Sequence, residues 1–248
     1  MDGSWFEPVR AYCERTDAAF WSEPLNALSN GAFLIAAAAS ARTACGRDSA
    51  GLALAVLVGV IGLGSFLFHT LANRWSMLAD VIPIGLFIYA YLALALRRFF
   101  GASAPAATAL TLAFAAFNLG FAPGLDALTG RAWSEISNGS IDYGPAVLAL
   151  VGVGAGLLLP PRSAGRRRAG WTLLGLALLF LVSLTARTLD AALCPRWPTG
   201  THALWHVLNA VVLAGLIRVA VRFGAGHSDL LRDPANRCRS ARRPEGDA

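Results

Sequence analysis

The chain has 248 residues, 56% of them apolar, and a formal net charge of +6. Its mean hydropathy of +0.54 lies far from the balance of a soluble domain. All 21 basic residues are Arg, and they fall in connections between apolar stretches rather than in one continuous patch, which sets nucleic acid aside as a partner.

Nearly uncharged stretches long enough to cross a bilayer, about 18 residues or more, recur at 24–41, 49–72, 77–96, 102–122, 143–160, 170–186 and 199–220. They predict an all-α membrane protein of seven transmembrane helices. The expected organisation is an outward segment 1–22, a membrane domain 23–222 and a disordered cytoplasmic tail 223–248. With alternating helix direction, 15 Arg fall on one side and six on the other (Arg10, Arg15, Arg74, Arg131, Arg187 and Arg196). The positive-inside rule then puts the N-terminus outside and the C-terminus in the cytoplasm. Residues 1–22 lack the apolar core of a signal peptide, so the first helix is expected to drive insertion. The Arg-only, Ala-rich composition has a bacterial look, and the expected location is a bacterial inner membrane.

The first 22 residues include Tyr12-Cys13-Glu14-Arg15-Thr16-Asp17, with Glu23 just beyond. Hard oxygen atoms at that density can hold a calcium ion. Ser22-Glu23-Pro24 can equally be a helix cap, and both readings stand at this point. The first apolar helix carries Asn26, Ser29 and Asn30 on one face, read as hydrogen-bonding glue between helices.

The second helix ends Gly62-Leu-Gly64-Ser65-Phe-Leu-Phe68-His69, and Asp80 opens the third about one turn in, near Pro83. Ser65 and His69 share a helix face by their spacing. Pro83 is tolerable if it falls in the first turn, and the glycines either let helices approach or leave room for a ligand. The connection from Asp126 to Asp142 is long enough for a lid. After the sixth helix, which ends Arg187-Thr-Leu-Asp190, the seventh begins Thr201-His202-Ala-Leu-Trp205-His206. His202 and His206, four apart, can grip one ion together. The remaining histidine, His227, reads as an ordinary surface residue. Cys13 and Cys194 fall outside and Cys45 and Cys238 inside; the outward pair can cross-link in an oxidising compartment.

Topology brings His69, His202, His206, Ser65 and Asp80 to one depth in the outer half of the membrane. An ionisable residue there is costly and functional by default. Three neutral imidazoles leave one zinc position open, as catalytic sites do, and the ion lowers the pKa of a water and polarises a carbonyl. Asp80 is the candidate proton carrier and Ser65 the candidate oxyanion donor. An amide fits, because its leaving group needs a proton.

Ser65-x3-His69, Asp80 and His202-x3-His206 in a seven-helix frame resemble the superfamily of alkaline ceramidases and adiponectin-type receptors. Cys13-Glu14, Glu23-x2-Asn26-x2-Ser29-Asn30 and His202-Ala-x-Trp205-His206 are similar to the ceramidases in particular, over about residues 10 to 215. The resemblance implies a zinc amidase that cleaves ceramide, or a similar long-chain lipid amide entering from the bilayer, to a sphingoid base and a fatty acid. It implies zinc on His69, His202 and His206, and calcium on Glu14, Glu23, Thr16 or Asp17 and a carbonyl near Tyr12. It also implies a disulfide from Cys13 to Cys194. Two departures stand out: Ala11 takes the place of the family's Asp, and Tyr12 that of its Trp. The rival readings are a receptor-like sensor with the same core, a transporter or structural membrane protein, and a retinal protein. The last needs a lysine for its Schiff base, and this chain has none.

Overall fold

A computed structural model describes residues 4–160 and 163–224. The tail, with His227 and Cys238, lies outside the described residues. The chain runs as helices α1 (Pro24–Ser29), α2 (Gly31–Ala44), α3 (Ser49–Leu71), α4 (Arg74–Phe100), α5 (Ala104–Thr129) and α6 (Trp133–Ile136). A 3₁₀ turn (Ser140–Tyr143) follows, then α7 (Gly144–Leu158), α8 (Ala164–Leu193) and α9 (His202–Gly224).

Among the described residues, six helices are long and apolar enough to cross a membrane: α3, α4, α5, the 3₁₀ turn with α7, α8 and α9. Large apolar side chains such as Ile35, Leu112, Leu119, Leu178 and Val211 face outward. That is what hydrocarbon rather than water as the surrounding solvent demands, and it marks a membrane protein.

The expected first span is divided at Asn30. Ser29 Oγ and Asn30 Nδ2 both donate to the Asn26 carbonyl, at 2.8 and 2.9 Å. The backbone N–H of Asn30 turns instead to Ala27 O at 3.3 Å. Side chains that back-bond in this way compete with the helix ladder and bend it. The remaining α2 has 14 residues, short for a full crossing at 1.5 Å per residue.

α3 and α4 pack closely and carry Ser65, His69 and Asp80 near their turn. An ideal Cβ on Gly64 would collide with the carbonyl of Ala79, so only glycine permits this approach. Pro83 supplies the other half of the fit. It lies in the interior of α4, not in its first turn, and its missing N–H leaves the Ala79 carbonyl without its usual donor. That freed oxygen is the one seated against Gly64. A Cβ on Gly62 would meet Phe33 Cβ at 2.8 Å, so this glycine brings α2 in from the other side. Gly59 has only Ala37 nearby, at an ordinary 3.7 Å.

The N-terminal segment lies over the α3–α4 turn. Val9 N–H donates to Ala72 O at 2.8 Å, Arg74 N–H to Glu7 O at 3.1 Å and Trp75 N–H to Trp5 O at 3.1 Å. At the other end of the helices Arg98 forks onto both oxygens of Asp48, at 2.5 and 2.7 Å, and donates to Ala220 O at 3.1 Å. One guanidinium thereby fastens α3, α4 and α9 together.

Replacing Gly64 with Ala should overpack the α3–α4 contact and cost about 1–3 kcal/mol. A thermal melt of the purified protein checks this; a G64A variant melting with the wild type would mean the two helices do not approach as described.

Candidate metal centre

His69 comes from the last turn of α3, and His202 and His206 from the first two turns of α9. One ring nitrogen from each lies within 4.8 Å of the other two. The ring centroids are 5.1, 4.8 and 4.5 Å apart, and the three residues are at most 1% exposed. Such a group could hold a metal ion.

Hydrogen bonds decide which nitrogen faces inward on two of the three rings. Glu23 Oε2 sits 2.6 Å from His69 Nδ1. A carboxylate can only accept, so Nδ1 carries the proton and Nε2 is left as a lone-pair donor. His69 Nε2 is buried with no hydrogen-bond partner, as is His202 Nδ1. His206 Nδ1 lies 2.7 Å from Ser29 Oγ, whose own proton goes to the Asn26 carbonyl. The hydroxyl therefore accepts from His206, and His206 Nε2 also becomes a lone-pair donor. Partners that fix the tautomer in this way are characteristic of metal-binding histidines. The donor set, three neutral nitrogens at one point, fits a borderline-soft divalent ion of the zinc kind.

Ser65 and Asp80 adjoin the cluster. Ser65 Oγ is 3.5 Å from His206 Nε2, contact rather than a strong hydrogen bond. Asp80 is 8% exposed and interacts with His69, Arg187 and the Ser65 hydroxyl. Ser65, His69, Asp80, His202 and His206 are thus gathered in one place.

The residues considered for calcium are otherwise engaged. Both oxygens of Glu14 accept backbone N–H groups at the start of α1, from Leu25 at 2.7 Å and Asn26 at 2.8 Å. A carboxylate at a helix N-terminus is favoured there by the dipole. Glu23 accepts from Arg15 Nε at 2.5 Å and Asn26 Nδ2 at 3.1 Å as well as from His69. Burial opposes its charge, but those hydrogen bonds prevail and hold its pKa below the ordinary carboxylate value. Asp17 and Thr16 are exposed, the Asp17 carboxylate bonding within its own turn to Ala19 N–H and to the Ser22 hydroxyl. The Tyr12 ring stacks on His202 at 3.5 Å between centroids, and so roofs the cluster. Burial pushes its phenol far above the usual value, so it stays neutral and accepts from Arg187 Nη1 at 2.7 Å.

Three residues to which the sequence reading assigned no part in the cluster hold this arrangement. Asp190, fully buried, accepts from Thr201 and His202 N–H at 2.7 and 3.0 Å on one oxygen and from Cys13 N–H at 2.9 Å on the other. It caps α9 and fixes the N-terminal segment at once. Gly200 has φ +64, and a Cβ there would run into Asp190, so the clasp needs a glycine. Cys13 and Cys194 are joined by a disulfide beside it, with Cα atoms 5.4 Å apart. Arg187 lies over the rings of Tyr12, Trp205 and Tyr143 at 5.4 to 5.8 Å. It exchanges hydrogen bonds with Asn138 at 3.1 Å in both directions, so the α5–α7 connection, itself part helical, is pinned to α8. The third is Ser29, grouped above with structural glue, whose partner is a histidine of the cluster. An acid inside an apolar helix must be paired; that signal alone could have singled out Asp190.

No family model matches the chain, and no curated protein is significantly similar to it.

Changing Glu23 to Gln keeps the shape but removes the charge that orients His69. The expected loss is about 10- to 100-fold in metal affinity, read by competition with a chromophoric chelator; unchanged affinity would remove Glu23 from the site.

Proposed function

We propose that this chain is a metal-dependent hydrolase working within the membrane. More particularly, we infer a zinc amidase of the alkaline-ceramidase type, cleaving ceramide or a similar long-chain lipid amide to a sphingoid base and a fatty acid. The observation that carries this reading is the gathering of three buried imidazoles, two of them with their tautomer fixed by a partner, beside a serine and an aspartate. An apolar cavity begins about one helical turn further in. It is lined by Ile61, Ile84, Phe87, Tyr91, Phe180 and Leu213, at i−4 from Ser65 and i+4 from Asp80 for the first two. A hydrocarbon chain is the natural occupant of such a space.

Zinc on the three histidines, when bound, supplies a Lewis acid and an acidified water. The chain's own groups supply the rest. Asp80 takes up a proton and returns it to the amide nitrogen as that bond breaks. Ser65 offers its hydroxyl to the carbonyl oxygen as charge develops there. Tyr12, tied down through Cys13 and Asp190, covers the centre on the outer side, so that substrate enters from the bilayer. Calcium is not part of this proposal, because the carboxylate oxygens offered for it already serve protein donors.

The orientation belongs to the same reading. α1 and α2 together make a seventh crossing, the N-terminus is outside, and the site faces the periplasm of a bacterial inner membrane. The Arg distribution and the outward apolar side chains support it.

Purified protein incubated with a panel of lipid amides and esters should release fatty acid, and chelation should stop it. Replacing His206 with Ala should abolish both metal uptake and turnover. Changing Asp80 to Asn should retain the metal and lose about 100-fold or more in rate. Full turnover in H206A would contradict the reading; lipid binding without turnover in the wild type would describe a receptor-like sensor instead.

A further inference from the structure

Arg15 is among the most buried charged residues of the chain, with its side chain 3% exposed. Its planar fork reaches acceptors from three separate segments. Nε donates to Glu23 Oε1 at 2.5 Å, at the start of α1. Nη2 donates to the carbonyl of His69 at 2.8 Å, in the last turn of α3. Nη1 faces the carbonyls of Asp17 and Ala19 at 3.2 and 3.5 Å, in the N-terminal segment. The His69 carbonyl is one of the four at a helix C-terminus that have no donor within the helix, where the dipole favours a cation.

One carboxylate and three carbonyls converging on a point are the hard oxygen donors that a divalent cation takes. Here a covalently attached guanidinium occupies their focus. We propose that Arg15 is the resident cation of this segment: it does the ordering that the resemblance would assign to calcium, and it acts as a positioning residue for His69. The proposal rests on the reading that the histidine cluster holds a metal. Arg15 grips His69 at two points, directly through the backbone carbonyl and through Glu23 at the ring, whose Nδ1 lies 2.6 Å from Glu23 Oε2. The other carboxylate expected to bind calcium, Glu14, is spent on the N–H groups of α1. A tethered cation neither dissociates nor exchanges, so the order of residues 12–23 is independent of calcium.

A lysine does not reproduce this. Its ammonium is a point charge with three donors, and it cannot meet acceptors spread along a planar fork. Removing the guanidinium leaves Glu23 buried without its counter-charge, and the hold on His69 loosens.

The test uses the purified full-length protein and needs no substrate. Calcium at millimolar concentration should neither bind by calorimetry nor shift the melting temperature of the wild type. Arg15→Ala should weaken zinc affinity by about 10- to 100-fold, as loss of an orienting partner does. Millimolar guanidinium should restore that affinity, while urea at the same concentration should not; Arg15→Lys should fall between wild type and R15A. Calcium binding to the wild type would overturn the proposal, and that measurement stands even if R15A does not fold. Zinc affinity in R15A equal to the wild type's would overturn it too. A wild type that binds zinc but hydrolyses no lipid amide would leave this proposal intact and sink only the hydrolase reading; a wild type that takes up no zinc would sink the metal reading first.

Discussion

An imidazole is a ligand only through the nitrogen that carries no proton, and in a dry interior no water settles which nitrogen that is. The protein has to settle it with hydrogen bonds. Here Glu23 holds the proton on His69 Nδ1 and Ser29 holds it on His206 Nδ1. Everything outward of the cluster follows from the need to keep those two partners in place. Glu23 is buried and ionised, so it requires Arg15. Ser29, the last residue of α1 before the interruption at Asn30, faces His206. Ser29's own back-bond to the Asn26 carbonyl, one of the two at the break, also turns its hydroxyl into a hydrogen-bond acceptor. A local fault in the helix and a ligand's tautomer are thus one feature.

A second requirement is that α9 begin at the right height. Its first residue is a cluster histidine, so fraying of the kind common at helix ends would scatter the site. Asp190 removes that freedom by taking on one oxygen the N–H of Thr201, just ahead of α9, and of His202, its first residue. Its other oxygen takes the backbone N–H of Cys13, and the disulfide to Cys194 closes the same loop covalently. The roof over the cluster and the base of α9 are therefore fixed by one carboxylate, four residues before the cysteine that completes the bridge. Arg187, one turn earlier on α8, does the complementary work on the aromatic side, where Tyr12, Tyr143 and Trp205 surround it.

The sequence made the long helices and the histidine pair of α9 legible because both are written in local spacing, and alternating helix direction then brought His69 to the same side. Apolar runs of bilayer length need no tertiary information, and two histidines four apart must share a helix face. The helix ends shifted by a few residues, since α4 and α8 extend beyond their apolar cores into polar turns. What stayed hidden depends on pairs far apart in the chain. The Glu23–His69 bond spans 46 residues, and the bonds from Ser29 to His206 and from Asp190 to Cys13 each span 177. Hydropathy could not find the break at Asn30 either, because it is caused by where two polar side chains point and not by their number. By spacing alone Gly59, Gly62 and Gly64 look alike. Only the neighbours distinguish them, with Gly62 and Gly64 in close helix contact and Gly59 not.

Acidic residues near the membrane surface were the most ambiguous signal, and the ambiguity has a physical source. A carboxylate serves equally well as a metal ligand, a helix cap, a partner for an arginine or an orienter of an imidazole, and one-dimensional sequence does not separate these. Glu14 is a cap, Glu23 both pairs and orients, and Asp17 turns outward to its own loop. The residue that separates the alternatives is a cation, not an acid. Arg15 sits between Glu14 and Asp17 in the chain, where it reads as one more outer arginine. Placed at the focus of four oxygen acceptors, it supplies the charge that a bound ion would otherwise have to bring.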